Sequence, residues 1–165
     1  MSSAKISAAE VLQRLNAEHL TLCTAESCTG GLVGKLITDV PGASSVYVGG
    51  VISYTNEVKH RVLGVSRDTL AQYTAVSAET AGEMARGARR LLGADIAVSV
   101  TGLAGPDGDG TGRPVGLVYI ALDRAAGCLV QELHLTGDRA AVRGAAAQAI
   151  FALLLEALSN SEECL

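Results

Sequence analysis

Two blocks of small and hydroxyl residues stand out for the chemistry they could do. Thr24-Ala25-Glu26-Ser27-Cys28-Thr29-Gly30-Gly31 lies where an apolar run hands over to a helical pattern. At such a junction Ser27, Thr29 and the N–H groups around Gly30 and Gly31, backed by the positive end of the helix, can hold a phosphate or an oxyanion. A plain strand-to-helix turn with a hydroxyl cap has the same composition. The block is not the phosphate loop of P-loop nucleotidases, because Gly34-Lys35 is followed by Leu36 and Thr29 stands where the first glycine would be. The second block, Thr101-Gly102-Leu103-Ala104-Gly105-Pro106, follows another apolar run. A lone Gly-x-x-Gly turn can reflect nothing more than a need for positive φ. Strand ends of open α/β sheets converge on one ligand crevice, however, so two such blocks say more than one.

A third group is Ser44, Tyr54 and Lys59, at the start of a predicted strand, at its end and on the helix after it. A serine becomes a nucleophile when a base takes its proton, and a lysine is such a base only where burial or a nearby cation lowers its pKa. Closeness in sequence is equally compatible with three solvated side chains. The histidines His19, His60 and His134 have no acidic partner at a recognised spacing, and neither Gly-x-Ser-x-Gly nor His-Glu-x-x-His occurs. The cysteines Cys23, Cys28, Cys128 and Cys164 lack CxxC spacing, which argues against a zinc or redox site and for a reduced chain.

The elements that must position these residues follow from periodicity. Ser7-Ala8-Ala9-Glu10 has capping-box spacing and, with Val11, Leu12 and Leu15 on one face, predicts a helix over about 7–18. Leu20 to Ala25 predicts a strand feeding the first block, and Leu32, Val33, Leu36 and Ile37 the helix behind it. Pro41-Gly42 ends that helix. Val46 to Tyr54 reads as a strand bent at Gly49-Gly50, followed by helices over Asn56 to Leu63 and Arg67 to Gln72. Ser77 caps a long helix to about Leu92, with Ala81, Met84, Ala88 and Leu91 inward. Asp95 to Val100 has the continuous apolar character of a strand buried on both faces. Val115 to Leu122 and Cys128 to Leu135 predict an antiparallel pair, and Asp138 caps a last helix whose tail frays from Ser159. Interleaved helices and strands imply an α/β fold, a three-layer α/β/α sandwich with a mixed, mostly parallel sheet. Residues 1–165 suffice for a single domain.

The net charge is −4, without a dense run of Lys or Arg, and the chain has one Phe, four Tyr and no Trp. Nucleic acid is therefore not expected as the principal ligand. The N-terminus lacks an apolar signal core and no run of about 18 apolar residues is seen, so a cytoplasmic chain without a membrane partner is expected. Small-residue surfaces and the Gly49-Gly50 bend would suit a homo-oligomer, a dimer by preference.

Taken with Pro41-Gly42-Ala43-Ser44-Ser45, Tyr54-Thr55-Asn56-Glu57-Val58-Lys59, Ala75-Val76-Ser77 and Arg113-Pro114-Val115-Gly116, the two blocks resemble the CinA C-terminal domain family in order across about residues 5 to 158. The resemblance implies the three-layer fold and a nicotinamide-nucleotide amidase activity. Nicotinamide mononucleotide would be converted to nicotinate mononucleotide and ammonia, in pyridine nucleotide salvage, with no metal or cofactor. Longer relatives carry an additional N-terminal domain, and this chain is similar to the stand-alone form. By motif, the resemblance implies Ser44 as nucleophile, Lys59 as its basic partner and Tyr54 as a hydroxyl in the same site. It places Ser27, Thr29, Gly30 and Gly31 in one substrate-binding turn and Thr101, Gly102 and Gly105 in another. Arg139, at the start of the last helix, is a candidate phosphate contact. The competing expectations are a non-enzymatic nucleotide-binding or competence adaptor, and an amidase for a related small amide.

Overall fold

A computed structural model describes residues 5–160. Along the chain run α1 (Ala8–Ala17), β1 (Leu22–Glu26), α2 (Leu32–Thr38), a single 3-10 turn (Ala43–Ser45), β2 (Tyr47–Ile52), α3 (Asn56–Leu63), α4 (Arg67–Tyr73), α5 (Ala78–Leu92), β3 (Ile96–Gly102), β4 (Leu117–Arg124), β5 (Gly127–His134) and α6 (Arg139–Ser159). The predicted caps form: Ser7 accepts from the Glu10 N–H, Ser77 from Thr80 and Asp138 from Ala141.

The five strands lie in the order β2-β1-β3-β4-β5. β1 pairs parallel with β2 and β3, while β4 is antiparallel to both β3 and β5. Only β4 runs against the rest, which is the mixed sheet expected from the late hairpin. Helices α1, α2 and α6 cover one face and α3, α4 and α5 the other. The sheet is thus the middle layer of three.

Side-chain size divides the two faces. Ile96, Val98 and Val100 of β3 and Val118, Ile120 and Leu122 of β4 point toward α6, where they meet Val142, Ile150, Phe151 and Leu154. On the other face the strands present Cys23, Ala25, Ala97 and Ala121, so α5 packs close through Ala81, Met84, Ala85 and Ala88. This explains how a chain nearly without aromatics fills a core: one layer uses branched bulk and the other close approach. The Ser99 hydroxyl even reaches the Ala81 carbonyl of α5 at 2.6 Å. Gly87 lets α3 sit equally close, since a Cβ there would lie 1.9 Å from the Leu63 carbonyl oxygen.

Two expectations change. Leu91, predicted inward, is 53% exposed, because the inward stripe continues from Ala88 by four residues to Leu92, which packs on the core in its place. The α6 helix, at 21 residues, has the length and apolar composition of a membrane span, against the expectation that no such run exists. In this fold it is a core helix, and Val142, Ala146, Ile150, Phe151, Leu153 and Leu154 are buried on the sheet. The helix continues through Ser159, so the predicted fraying there does not begin at that residue; positions 161–165 lie outside the described residues.

Candidate active site

Parallel β1, β2 and β3 end on the same side, and there the chain delivers Ser27, Ser53-Tyr54 and Thr101-Gly102 to one place. The Ser27 N–H donates to the Val100 carbonyl at 2.9 Å, tying the β1 exit to β3, and the Ser53 N–H donates to the Glu26 carbonyl at 2.7 Å, tying it to β2. Thr55 caps α3 through the Val58 N–H, and one turn later Lys59 points back under the strand ends. A cavity of about 290 Å³ opens over them, lined by Ser27, Cys28, Tyr54, Lys59, the 101–105 loop and Arg139 among others.

Lys59 is the centre of this arrangement. It is 1% exposed, and its Nζ donates to Ser27 Oγ at 2.8 Å, to the Ser53 carbonyl at 2.7 Å and to the Tyr54 carbonyl at 3.4 Å. No carboxylate pairs with it among the described residues. Burial without a counter-charge disfavours the ammonium, and the pKa falls from 10.5 to about 8. The same burial pushes the neighbouring Cys28 thiol up to about 11, so at neutral pH the pocket holds an uncharged thiol beside a serine hydroxyl.

Ser44 is not there. It is exposed in the 3-10 turn before β2, whereas Lys59 lies beyond the other end of that strand. About 20 Å of extended chain separates the two ends of β2. The expected contact of Ser44 with Lys59 is therefore corrected: the lysine meets Ser27, and a cleft exists around that pair instead. Ser45 shares the same turn and donates its hydroxyl to the Gly42 carbonyl.

The first block also differs from expectation in how it treats anions. Glu26, buried to 2% exposure, curls over the start of α2 and accepts from the Thr29 hydroxyl at 2.6 Å, the Val33 N–H at 2.9 Å and the Gly34 N–H at 3.0 Å. The helix end predicted to bind a phosphate is thus filled by the protein's own carboxylate. Thr29, Gly30 and Gly31 accordingly do not line the cavity, and the two glycines supply positive φ for the turn; of this block only Ser27 and Cys28 line it.

The second block does line it. Thr101 is buried and its hydroxyl donates to the Ala75 carbonyl at 2.7 Å, holding the 74–77 segment beside the pocket. A side chain at Gly102 would strike Val118 and the Leu117 carbonyl, so β4 can approach only a glycine there. Arg113, from the Arg-Pro-Val-Gly block, donates to the Thr74 hydroxyl and the Tyr73 carbonyl and holds Thr74 at φ +67, a region non-glycine residues seldom enter. Arg139 reaches the Gly105 carbonyl at 2.6 Å and the Tyr54 hydroxyl at 3.1 Å, so Tyr54 and Arg139 form a joined edge of the cavity. The N–H groups of Cys28, Ala104 and Gly105 have no backbone acceptor among the described residues.

Sequence reasoning brought Ser27, Lys59, Tyr54, Thr101, Gly102, Gly105 and Arg139 forward, and the fold brings them together. It missed the roles of Glu26, Cys28 and Ser53. Glu26 was legible in part, since a carboxylate just before a glycine-rich helix start can only be buried if helix N–H groups meet it.

Comparison with known proteins agrees with this architecture. The family model described as the CinA C-terminal domain matches residues 4–158. A CinA-like protein of Geobacter sulfurreducens is 53% identical over 124 residues, 75% of this chain, and one of Syntrophomonas wolfei is 49% identical over 139 residues, 84% of this chain. The chain spans only 30% and 33% of the length of these two relatives. Among solved structures, a CinA superfamily protein of Klebsiella pneumoniae superposes with a TM-score of 0.91 at 37% identity, covering 93% of this chain and 96% of that one. A competence/damage inducible protein of Agrobacterium tumefaciens gives 0.87 at 39% identity, covering 92% and 93%. Motif order, fold and family model thus converge, and the chain belongs to the CinA C-terminal domain family.

Proposed function

We propose that this domain hydrolyses the carboxamide of nicotinamide mononucleotide to nicotinate mononucleotide and ammonia, with Ser27 as nucleophile and Lys59 as its base. The observation that carries the reading is the 2.8 Å contact between Lys59 Nζ and Ser27 Oγ in a buried setting that brings the lysine to about 8. An uncharged amine has two N–H groups and one lone pair. The Ser53 and Tyr54 carbonyls take the N–H groups, which leaves the lone pair for the Ser27 hydroxyl.

An amide needs an activated nucleophile, donors for the oxyanion and a proton for the departing nitrogen. Ser27 Oγ bonds to the amide carbon while its proton passes to Lys59. The carbonyl oxygen becomes an oxyanion, for which the Cys28, Ala104 and Gly105 N–H groups are the candidate donors. Collapse breaks the C–N bond, Lys59 returns the proton and ammonia leaves. Water then attacks the Ser27 ester, again giving its proton to Lys59, and the acid departs as Ser27 regains a hydrogen. Arg139 at the cavity edge suits the nucleotide phosphate, since the helix start in the first block is already occupied by Glu26.

The competence-related name of a solved neighbour keeps an adaptor role in view. A buried lysine without a counter-ion serves no purpose in an adaptor, and its desolvation opposes folding. The test is ammonia release from nicotinamide mononucleotide by the purified chain. Ser27→Ala should lower the rate by about 10³-fold or more, and Ser44→Ala should leave it within about twofold, as befits an exposed turn residue. Ammonia release that survives Ser27→Ala would remove the assignment.

A further inference from the structure

Two arginines, Arg139 and Arg143, stand one turn apart at the start of α6, where the helix dipole opposes positive charge and the one carboxylate, the N-cap Asp138, is engaged by the Ala141 N–H. Their placement therefore needs a cause outside the helix. Arg139 holds the Gly105 carbonyl and the Tyr54 hydroxyl, as described above. Arg143 turns the other way: its Nε donates to the Cys28 carbonyl at 3.1 Å and its Nη2 to the Thr29 carbonyl at 2.7 Å. A guanidinium can fork onto two successive carbonyls in this way, whereas an ammonium is a point donor.

The consequence for the turn is geometric. In a trans peptide the carbonyl oxygen and the following N–H point in opposite directions. Fixing the Cys28 and Thr29 oxygens toward α6 therefore fixes the N–H groups of Thr29 and Gly30 away from it. The Gly30 N–H then closes the turn on the Ser27 carbonyl at 3.0 Å. From the opposite side Glu26 grips the Thr29 hydroxyl and the first N–H groups of α2. Ser27 is the residue between these two grips. The α6 helix is itself anchored in the core through Val142 and Ala146, so the guanidinium is presented from a rigid element.

We propose that Arg143 is a positioning residue: by clamping the Cys28 and Thr29 carbonyls it holds the Ser27 hydroxyl in line with the Lys59 amine. This rests on the reading of Ser27 as nucleophile, but not on the identity of the amide. The sequence gives no hint of it, because Arg143 lies 114 residues from the carbonyl that it holds most closely.

The test uses the full chain and a serine-directed fluorophosphonate, which reports Ser27 reactivity without needing the natural substrate. Arg143→Ala should slow labelling of Ser27 and lower kcat for ammonia release in parallel, by between about 10-fold and about 100-fold. KM should change by less than about twofold, and the pH midpoint of labelling should stay near that of the unaltered chain, because a turn displaced as a unit loses alignment and not contacts to substrate. Arg143→Lys should recover only part of the loss, and guanidinium ion at sub-denaturing concentration should restore part of it to Arg143→Ala. Labelling of Arg143→Ala or Arg143→Lys at the unaltered rate would overturn the proposal, as would a loss confined to KM. Parent chain that labels at Ser27 without releasing ammonia would sink the amidase reading while leaving the clamp in place. Parent chain that labels at no serine would remove both.

Discussion

A lysine with 1% exposure has to find an anion or give up its proton, and Lys59 has a hydroxyl and two carbonyls around it. That choice sets two pH dependences of opposite origin. Catalysis needs the free amine, so kcat/KM for ammonia release should rise about tenfold per pH unit below about 8 and level off above it; a profile flat from pH 6 to 9 would contradict the role. Stability follows from the same shift. The folded chain releases the Lys59 proton near 8 and the unfolded chain near 10.5, so between those values this group holds more protons in the unfolded state and its contribution to stability rises with pH. Below about 8 the full desolvation cost persists. Lys59→Met should abolish that rise, with a difference on the order of 1–3 kcal/mol between the two chains when urea unfolding at pH 7 is compared with pH 10. At this scale the sequence named the lysine but paired it with the wrong serine. Ser44 is fifteen positions away and Ser27 thirty-two, and proximity along the chain says nothing about which strand end α3 returns to.

Element packing explains why α3 can deliver Lys59 at all. Leu63, one turn beyond Lys59, lies with its carbonyl against Gly87 of α5, and the two backbones touch without a side chain between them. Gly87→Ala would place a methyl group 1.9 Å from that oxygen, so α3 must move outward or α5 must bend. The expected cost is roughly 1–3 kcal/mol, seen as a lower urea midpoint. Ammonia release should fall with it, because displacement of α3 draws Lys59 from Ser27. An unchanged midpoint would show that this contact is looser than described. Most elements were legible from periodicity and caps, since Ser7, Ser77 and Asp138 each mark a helix start that forms. Leu91 was misplaced because positions three and four beyond Ala88 both continue a helical stripe, and only packing selects Leu92 over Leu91. The Arg143 fork was illegible and Glu26 legible only in part for a different reason: each satisfies backbone groups, and which backbone groups are exposed is decided only after the chain has folded.

Over the whole molecule the three parallel strands act as a gathering device. Their ends bring residues 27, 53–54 and 101–105 from three distant stretches together, and the start of α6 closes the cavity with Arg139 while Arg143 holds the turn after Ser27 from behind. The mixed three-layer architecture was legible because strand and helix patterns alternate until the final hairpin; the serine that meets Lys59 was not, because its identity depends on which end of β2 faces the lysine. The most direct measurement is where the acyl group rests during turnover. Quenching the reaction with nicotinamide mononucleotide at low pH and digesting with trypsin separates residues 15–35, which hold Ser27, from residues 36–59, which hold Ser44, Ser45 and Ser53. Mass spectrometry should find the acyl ester on the first peptide, at Ser27. An acyl group on the second peptide would contradict the account.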